Sequence, residues 1–400
     1  MNKPLVRRRP KVVLAVSVLT LAVAVTATVS PAGASPAALD RTPWYAKGEP
    51  AQTDSTGARG AYDRAQGIAA AKKAGPKVKL PKLKAGFIQI IGAVYSAQRI
   101  ERATKTAVQK IGWSWARCDA QGDPAKMESC GQSLLNQGVN VLFADGIEPS
   151  FINGTLIRAR DKQVPVFIIG GMVTPSKLIY NYAPDEGVAA KILSAAVIKQ
   201  LQALPGTKEV AVWNYPAIWG SLRTKVFNAE VQKTSDIKVK YTTDVDGMNV
   251  VDGTRTGVAS QLTQTPDLKG IWNSFDSAAF GAAQAVKAAF PGKAFPDAPC
   301  VWTFSGDPPQ FDAMRKGEVC ILLDQAYDNT GWISVDQAAE WFARKKVPSR
   351  RLDGGYGRSV SFHEQTIVTK ANVPKPGEWL QSPTSAKTFF TAKWAEEFTQ

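Results

Sequence analysis

The stretch LLNQGVNVLFADGIEPSFINGTLIRARDKQVPVFII, residues 134–169, decides the fold. It reads as helix, strand, helix, strand with almost no residue to spare. Residues 139–144 and 164–169 are short β-branched apolar runs, each following a segment of helical periodicity and each reached through a turn signal, Gly138 and Pro165. Strands this apolar are covered on both faces, which predicts a parallel sheet with helices packed on each side. In such a sheet ligands bind beyond the carboxyl ends of the strands, so the same stretch predicts where a site would lie.

The alternation continues in both directions. Upstream, 85–91 reads as a strand, 96–111 as a helix with Ile100, Ala103, Ala107, Val108 and Ile111 at helical spacing, and 113–118 as a second strand. Downstream come a strand at 178–182 and a helix at 185–201. A second series then begins, with strands at 209–213, 237–242, 270–273, 301–304 and 319–323 separated by helices at 221–233, 253–265, 277–290 and 309–315. A helix at 334–344, a strand at 367–368 and a terminal helix at 387–398 follow. Two such series predict an α/β chain of two similar doubly wound parallel-sheet lobes joined by a multi-strand hinge. The expected organisation is a signal peptide at 1–34 and a linker or tether at 35–81, with one short helical stretch around 62–73. An N-terminal lobe at 82–182 plus 326–352, a C-terminal lobe at 183–325 plus 353–373 and a tail at 374–400 complete it.

The signal peptide rests on Lys3, Arg7, Arg8, Arg9 and Lys11 ahead of the apolar residues 12–29, and on the small residues Ala32, Gly33 and Ala34 as a cleavage site. The apolar run is long enough to serve as an uncleaved anchor, but the small-residue site and the Pro, Ala and Ser after it favour cleavage and release. The expected location is therefore extracellular or in the cell envelope. No cysteine precedes Cys118, so a lipoprotein anchor is not expected. In an exported chain the four cysteines point to disulfides, for which three pairings exist. Cys118 with Cys130 and Cys300 with Cys320 are favoured because each pair is close in sequence. The formal charge is +15, of which the basic residues of the signal carry five. The lysines are scattered and no recognition motif accompanies them, so nucleic acid is not an expected partner.

Several phrases in order give the chain a family resemblance. Residues 119–123 with the helix after them and QGVNVLFA, the segment RARDKQVPVFII, and the crossover YAPDEG at 182–187 resemble a type I periplasmic binding protein, of the branch similar to ribose and galactose binding proteins of ABC importers. Residues 82–373 are covered. In the second lobe, Arg223 with the four residues after it resembles the family's R-x-x-G-F helix start, with Val226 replacing the glycine. The resemblance implies that Arg223 reaches the ligand, a role its planar fork of donors suits. A surface arginine is the alternative. Asn273, Phe275 and Asp276 lie in a phrase resembling N-D-x-x-A-x-G-A at a strand end, where an aspartate can accept two hydroxyl bonds and also cap the next helix. Leu323, Asp324 and Gln325 resemble the last crossover, where Gln325 would touch ligand at the hinge. The first lobe matches less well. Tyr95 and Gln98 are the only large ligand-facing candidates in its first loop, and Gly170 and Gly171 stand where relatives offer an aspartate. Trp219, in a loop bounded by Pro and Gly, is a candidate stacking platform.

The resemblance implies capture of a small polar ligand, a carbohydrate or polyol-like solute, by hinge closure, and delivery to an ABC permease in the membrane by a monomer. An aromatic acid or nucleoside as ligand, or a sensor as recipient, is the alternative. A secreted enzyme is disfavoured: the one histidine, His363, lies in a tail-side segment, and no nucleophile elbow, phosphate-binding loop or metal-ligand cluster is present. No cofactor and no metal are expected.

Overall fold

The computed structural model describes residues 63–356, 365–379 and 384–399. The expected signal peptide, the tether up to residue 62 and His363 lie outside the described residues. The described chain starts with α1 (Arg64–Ala74) and β1 (Val78–Lys79). The alternation read from sequence follows: β2 (Lys84–Gln89), α2 (Tyr95–Lys110), β3 (Ser114–Asp119), α3 (Pro124–Asn136), β4 (Val141–Asp145), α4 (Asn153–Asp161), β5 (Val166–Ile169) and β6 (Tyr180–Tyr182). The second series is α5 (Glu186–Gln202), β7 (Lys208–Asn214), α6 (Ile218–Val231), β8 (Ile237–Asp244), α7 (Val250–Gln264), β9 (Gly270–Asn273) and α8 (Asp276–Ala289). It ends with β10 (Cys300–Phe304), α9 (Pro308–Arg315), β11 (Ile321–Asp324), α10 (Asp328–Arg344) and β12 (Thr366–Val368), before α11 (Thr384–Glu397) and β13 (Phe398–Thr399) close the chain.

The helix starts follow local chemistry. Asp123 caps α3 by accepting from the Ala125 N–H at 2.8 Å, with Pro124 preset for the first turn, and Asp185 caps α5 through the Val188 N–H at 3.0 Å. The strands pair in parallel in two sheets, ordered β3-β2-β4-β5-β6 and β12-β11-β10-β9-β7-β8, with β12 alone antiparallel to its neighbour. In β4, Val141 and Phe143 face one layer with Phe87 and Phe167, while Leu142 and Ala144 face the other with Ile88 and Ile168. Both faces of the strand are thus buried, as the continuous apolar run required. Strand order reverses between β2 and β4 in the first sheet and between β7 and β9 in the second. Those two reversals are where helices on opposite faces diverge and leave a crevice at the carboxyl ends. Disulfides join Cys118 to Cys130 and Cys300 to Cys320, the favoured pairing, with Cα separations of 5.4 and 5.8 Å.

Two expectations need correction. The Ala, Gly and Lys-rich segment read as a tether is folded from Asp63 onward, and the expected tail is part of the first lobe. Helix α1 packs on α11, and β1 pairs in parallel with β13. A Cβ at Gly67 would lie 2.2 Å from the Phe389 carbonyl oxygen, so the small residues of α1, a helical stretch expected within a tether, serve close helix contact. Phe389, Phe390 and Trp394 of α11 join the core that holds Phe87 and Phe143, and the Lys393 ammonium is buried among Asp336 (2.7 Å), Glu340 (2.8 Å) and Glu397 (2.5 Å). The second correction is α10, which begins at Asp328 where a start at 334 was expected. Gly331, a poor helix former, is accepted there because α2 runs so close that a Cβ would lie 2.6 Å from the Thr104 hydroxyl.

Candidate ligand-binding cleft

The carboxyl ends of both sheets face one cleft, a cavity of about 40 Å³. The first lobe contributes Ile90 after β2, Ser96 and Ile100 of α2, Asp145 at the end of β4, and Gly170 and Gly171 after β5. The second contributes Trp219 and Arg223 of α6 and Phe275 after β9, and Tyr327 comes from the crossing between β11 and α10. The lobes meet around the cavity. Glu148 of the first lobe accepts from the Ile218 N–H at the start of α6 (3.0 Å), and the Tyr95 ring lies 6.4 Å from that of Phe280. Arg99 of α2 reaches into the second lobe, donating to Asp324 at 2.7 Å and to the Gly306 carbonyl at 2.9 Å, while Asp328 holds its Nε at 2.5 Å.

Arg223 is buried, which removes the surface-arginine alternative. Its Nε donates to Glu186 (2.7 Å), Nη1 to the Ser274 carbonyl (2.7 Å), and Nη2 to both Gln325 and Tyr327 (2.8 Å each). The guanidinium also lies over the rings of Trp219 and Phe304, at 5.1 and 4.2 Å. Four of its five N–H groups are committed, so it offers the cavity a rigid aromatic-stacked plane and one remaining donor. Gln325, bonded to both Arg223 and Glu186, belongs to the same node. Burial raises the Glu186 carboxyl, an effect that the charge and hydrogen bond of Arg223 counter.

Beside this node stands an aromatic wall. Trp219 stacks on Tyr215 at 4.8 Å and 13°, and Phe275 meets Trp219 edge-on at 5.4 Å. The Trp219 indole crosses to the first lobe, where a Cβ at Gly171 would lie 2.8 Å from its Cδ1. Its Nε1 is buried without a hydrogen-bond partner.

The carboxylates complete the site. Asp145 is 4% exposed, and its Oδ2 has no partner. Burial, then the charges of Asp276 and Glu101, pushes its carboxyl well above the usual range. Asp276 lies in the first turn of α8, with Oδ1 on the Ser277 N–H at 2.8 Å and Oδ2 unpartnered, so it both serves its helix and keeps one acceptor free. Burial raises it too, against the pull of Ser96 and the Ser277 N–H. Asp307 caps α9 through the Gln310 N–H at 3.0 Å, and burial followed by the charge of Asp276 pushes it up to about 8.

Of the residues expected at the site, the structure brings Arg223, Trp219 and Phe275 to the cavity wall and sets Gln325 and Asp276 directly behind it. Asn273 is fully buried in β9, with its amide nitrogen on the carbonyls of Ile271 and Trp302. Tyr95 and Gln98 are not at the cavity wall: Tyr95 is 44% exposed at the start of α2, and Gln98 is exposed and bonded to the Gly92 carbonyl. They stand on the outward side of the helix whose inward side presents Ser96 and Ile100. The carboxylate absent after β5 is present one strand over. A Cβ at Gly170 would lie 2.5 Å from Ile100 Cδ1 and 3.0 Å from Asp145 Oδ1, so Ile100 and Asp145 together fill the space that a side chain at 170 would need. Asp145, Ser96, Arg99, Glu186, Asp307 and Tyr327 were not singled out from sequence. The signal for Asp145 was an acidic residue followed by glycine at the end of an apolar strand.

Comparison with known proteins agrees with this arrangement. A family model described as a periplasmic binding protein domain matches residues 94–346. Among solved structures, an ABC transporter solute binding protein from Mycobacterium smegmatis with bound glycerol is similar at TM-score 0.64 and 21% identity, covering 75% of this chain and 100% of that one. A galactofuranose binding protein aligns at TM-score 0.63 and 17% identity over 78% of this chain and 99% of that one. The periplasmic binding protein component of an arabinose ABC transporter from Shewanella sp. ANA-3, bound to α- and β-L-arabinofuranose, aligns at 0.61 and 18% over 78% and 96%. No curated protein matches the chain.

Proposed function

The chain belongs to the periplasmic binding protein domain family, and on that premise we propose that it is an exported solute-binding protein without catalytic activity, which closes its two lobes on a carbohydrate or polyol and delivers it to an ABC permease. The carrying observation is the cavity itself. An indole face, an arginine plane, and buried polar atoms without partners on Asp145, Asp276 and Trp219 converge between the carboxyl ends of two sheets. A ring face suits the apolar face of a sugar, and free carboxylate oxygens suit its hydroxyls. The sugars and glycerol named for the similar structures support the same ligand class. Contacts made to both lobes favour the closed state, because the ligand gains them together only there. Among the described residues no helix is long and apolar enough to cross a membrane, and the disulfides suit an oxidising compartment. Export would use residues 1–34.

A thermal-shift screen of sugars, polyols, nucleosides and aromatic acids on the purified protein tests the reading. Stabilisation by a sugar or polyol that is lost in Arg223→Ala and Asp276→Ala is expected. Stabilisation by aromatic acids alone would overturn the carbohydrate assignment.

A further inference from the structure

The charges around the cleft do not balance. Asp145 and Arg223 line it, and behind them stand five more buried carboxylates, Glu186, Asp276, Asp307, Asp324 and Asp328, and one more buried guanidinium, Arg99. Arg223 is taken by Glu186, and Arg99 by Asp324 and Asp328. Asp145, Asp276 and Asp307 are left, each with one oxygen that has no hydrogen-bond partner. Among the described residues no lysine lines this cavity. Trp219 lies beside it, its ring against Gly171 and its buried indole nitrogen a donor without a partner, which suits a hydroxyl of the same solute. A buried carboxylate without an ion pair, facing the cleft, attracts a cation through its charge and accepts its N–H donors.

Resting on the carbohydrate reading above, we propose that the cleft selects a polyhydroxylated solute bearing a basic amine, an amino sugar or aminopolyol, with the ammonium on Asp145, and that it rejects sugar acids and sugar phosphates. The exclusion follows from the same inventory. At the cleft wall an anionic ligand would meet one cation, Arg223, whose charge Glu186 already pairs, and would add its own charge to carboxylates that burial already disfavours. A cationic ligand offsets them and supplies N–H donors to oxygens that lack any.

The test is a matched panel on the full protein. D-galactose and D-glucose are each offered as the parent sugar, the 2-amino-2-deoxy sugar, its N-acetyl derivative and the uronic acid, and Kd is measured by calorimetry. The amino sugar of at least one series binds about tenfold or more tighter than its parent, the size of one charge-assisted hydrogen bond, and the uronic acids do not bind. Asp145→Asn brings the amine-to-parent ratio to within about twofold. Because burial and the neighbouring carboxylates already disfavour the charged form of Asp145, a neutral amide there leaves the unliganded variant melting at least as high as the native chain, which also verifies that it folds. A parent or N-acetyl sugar binding as tightly as the amino sugar, or a uronic acid binding at all, would overturn this proposal and leave the carbohydrate reading standing. Binding of no member of the panel overturns both.

Discussion

The contact between Gly171 and Trp219 allows lobe closure to be perturbed without touching a hydrogen bond. Gly171 follows β5 in the first lobe, Trp219 lies on α6 in the second, and a methyl added at Gly171 would stand 2.8 Å from Cδ1 and 3.1 Å from Cγ of the indole. Carbon atoms prefer about 3.5–4.0 Å, so the lobes or the indole must give by roughly 0.7 Å or more. Gly171 does not have the left-handed φ of its neighbour Gly170 (+86°), so Gly171→Ala acts by crowding alone. Overpacking of this kind costs about 1–3 kcal/mol. Only the closed state bears that cost, because the contact exists only when the lobes meet. Ligand affinity, which includes closure, should then fall by about 5- to 150-fold. Calorimetry with the best-binding solute reads the loss, and small-angle scattering of the unliganded variant reads a larger radius of gyration. In a Trp219→Ala background the added methyl meets nothing, so Gly171→Ala should there change affinity by less than about twofold; the cycle isolates the contact. Binding by Gly171→Ala within twofold of the native chain, or an equal loss in both backgrounds, would refute the argument.

Three further outcomes follow from buried charges. Arg223→Met leaves Glu186 buried without its cation and should lower the unfolding free energy by about 3–5 kcal/mol in urea denaturation, most of which Glu186→Gln restores in the double variant; a double variant no more stable than Arg223→Met contradicts this. The Asp307 carboxyl, raised to about 8, contributes stability that is present below its ordinary pKa and is lost as pH rises through about 8. The unliganded protein should therefore melt lower as pH climbs from 5 to 9, and Asp307→Asn, which keeps the helix cap, should flatten that slope; identical slopes in the two chains count against the assignment. Lys393→Met leaves Asp336, Glu340 and Glu397 facing one another and should destabilise the first lobe by about 3–5 kcal/mol. A loss below about 1 kcal/mol would mean that α11 is not integral to that lobe.

The sheets were legible in the sequence for a physical reason. A strand buried on both faces must be apolar throughout, and a helix covering it must be apolar on one side. Such segments as 141–145, 166–169 and 270–273 therefore announce themselves to within a residue or two. The layer formed by α1, α11, β1 and β13 was not legible as part of the first lobe. Both of its helices were readable, near 62–73 and 387–398, but the small residues of the first sit in a segment that reads as a linker; the pairing of residues 78–79 with 398–399 joins the two ends of the described chain. Local pattern carries no information about a contact of that range.

The site shows a different limit. Arg223, Trp219 and Asp276 were found because the residue type, the strand-end position and the family phrase agree at each of them. Asp145 was missed because the phrase located its carboxylate after β5, and the chain reads Gly170 and Gly171 there. Adjacent parallel strands end side by side, so a carboxylate can move one strand over and still serve the same volume. Asp145 pairs in register with Ile169, and its Oδ1, together with Ile100 Cδ1, stands where a side chain on Gly170 would have to go. The two glycines are then the complement of the move: one yields room to Asp145, the other to Trp219 from the opposite lobe. A substitution at either glycine is thus a substitution in the ligand site, although neither residue has a side chain with which to bind.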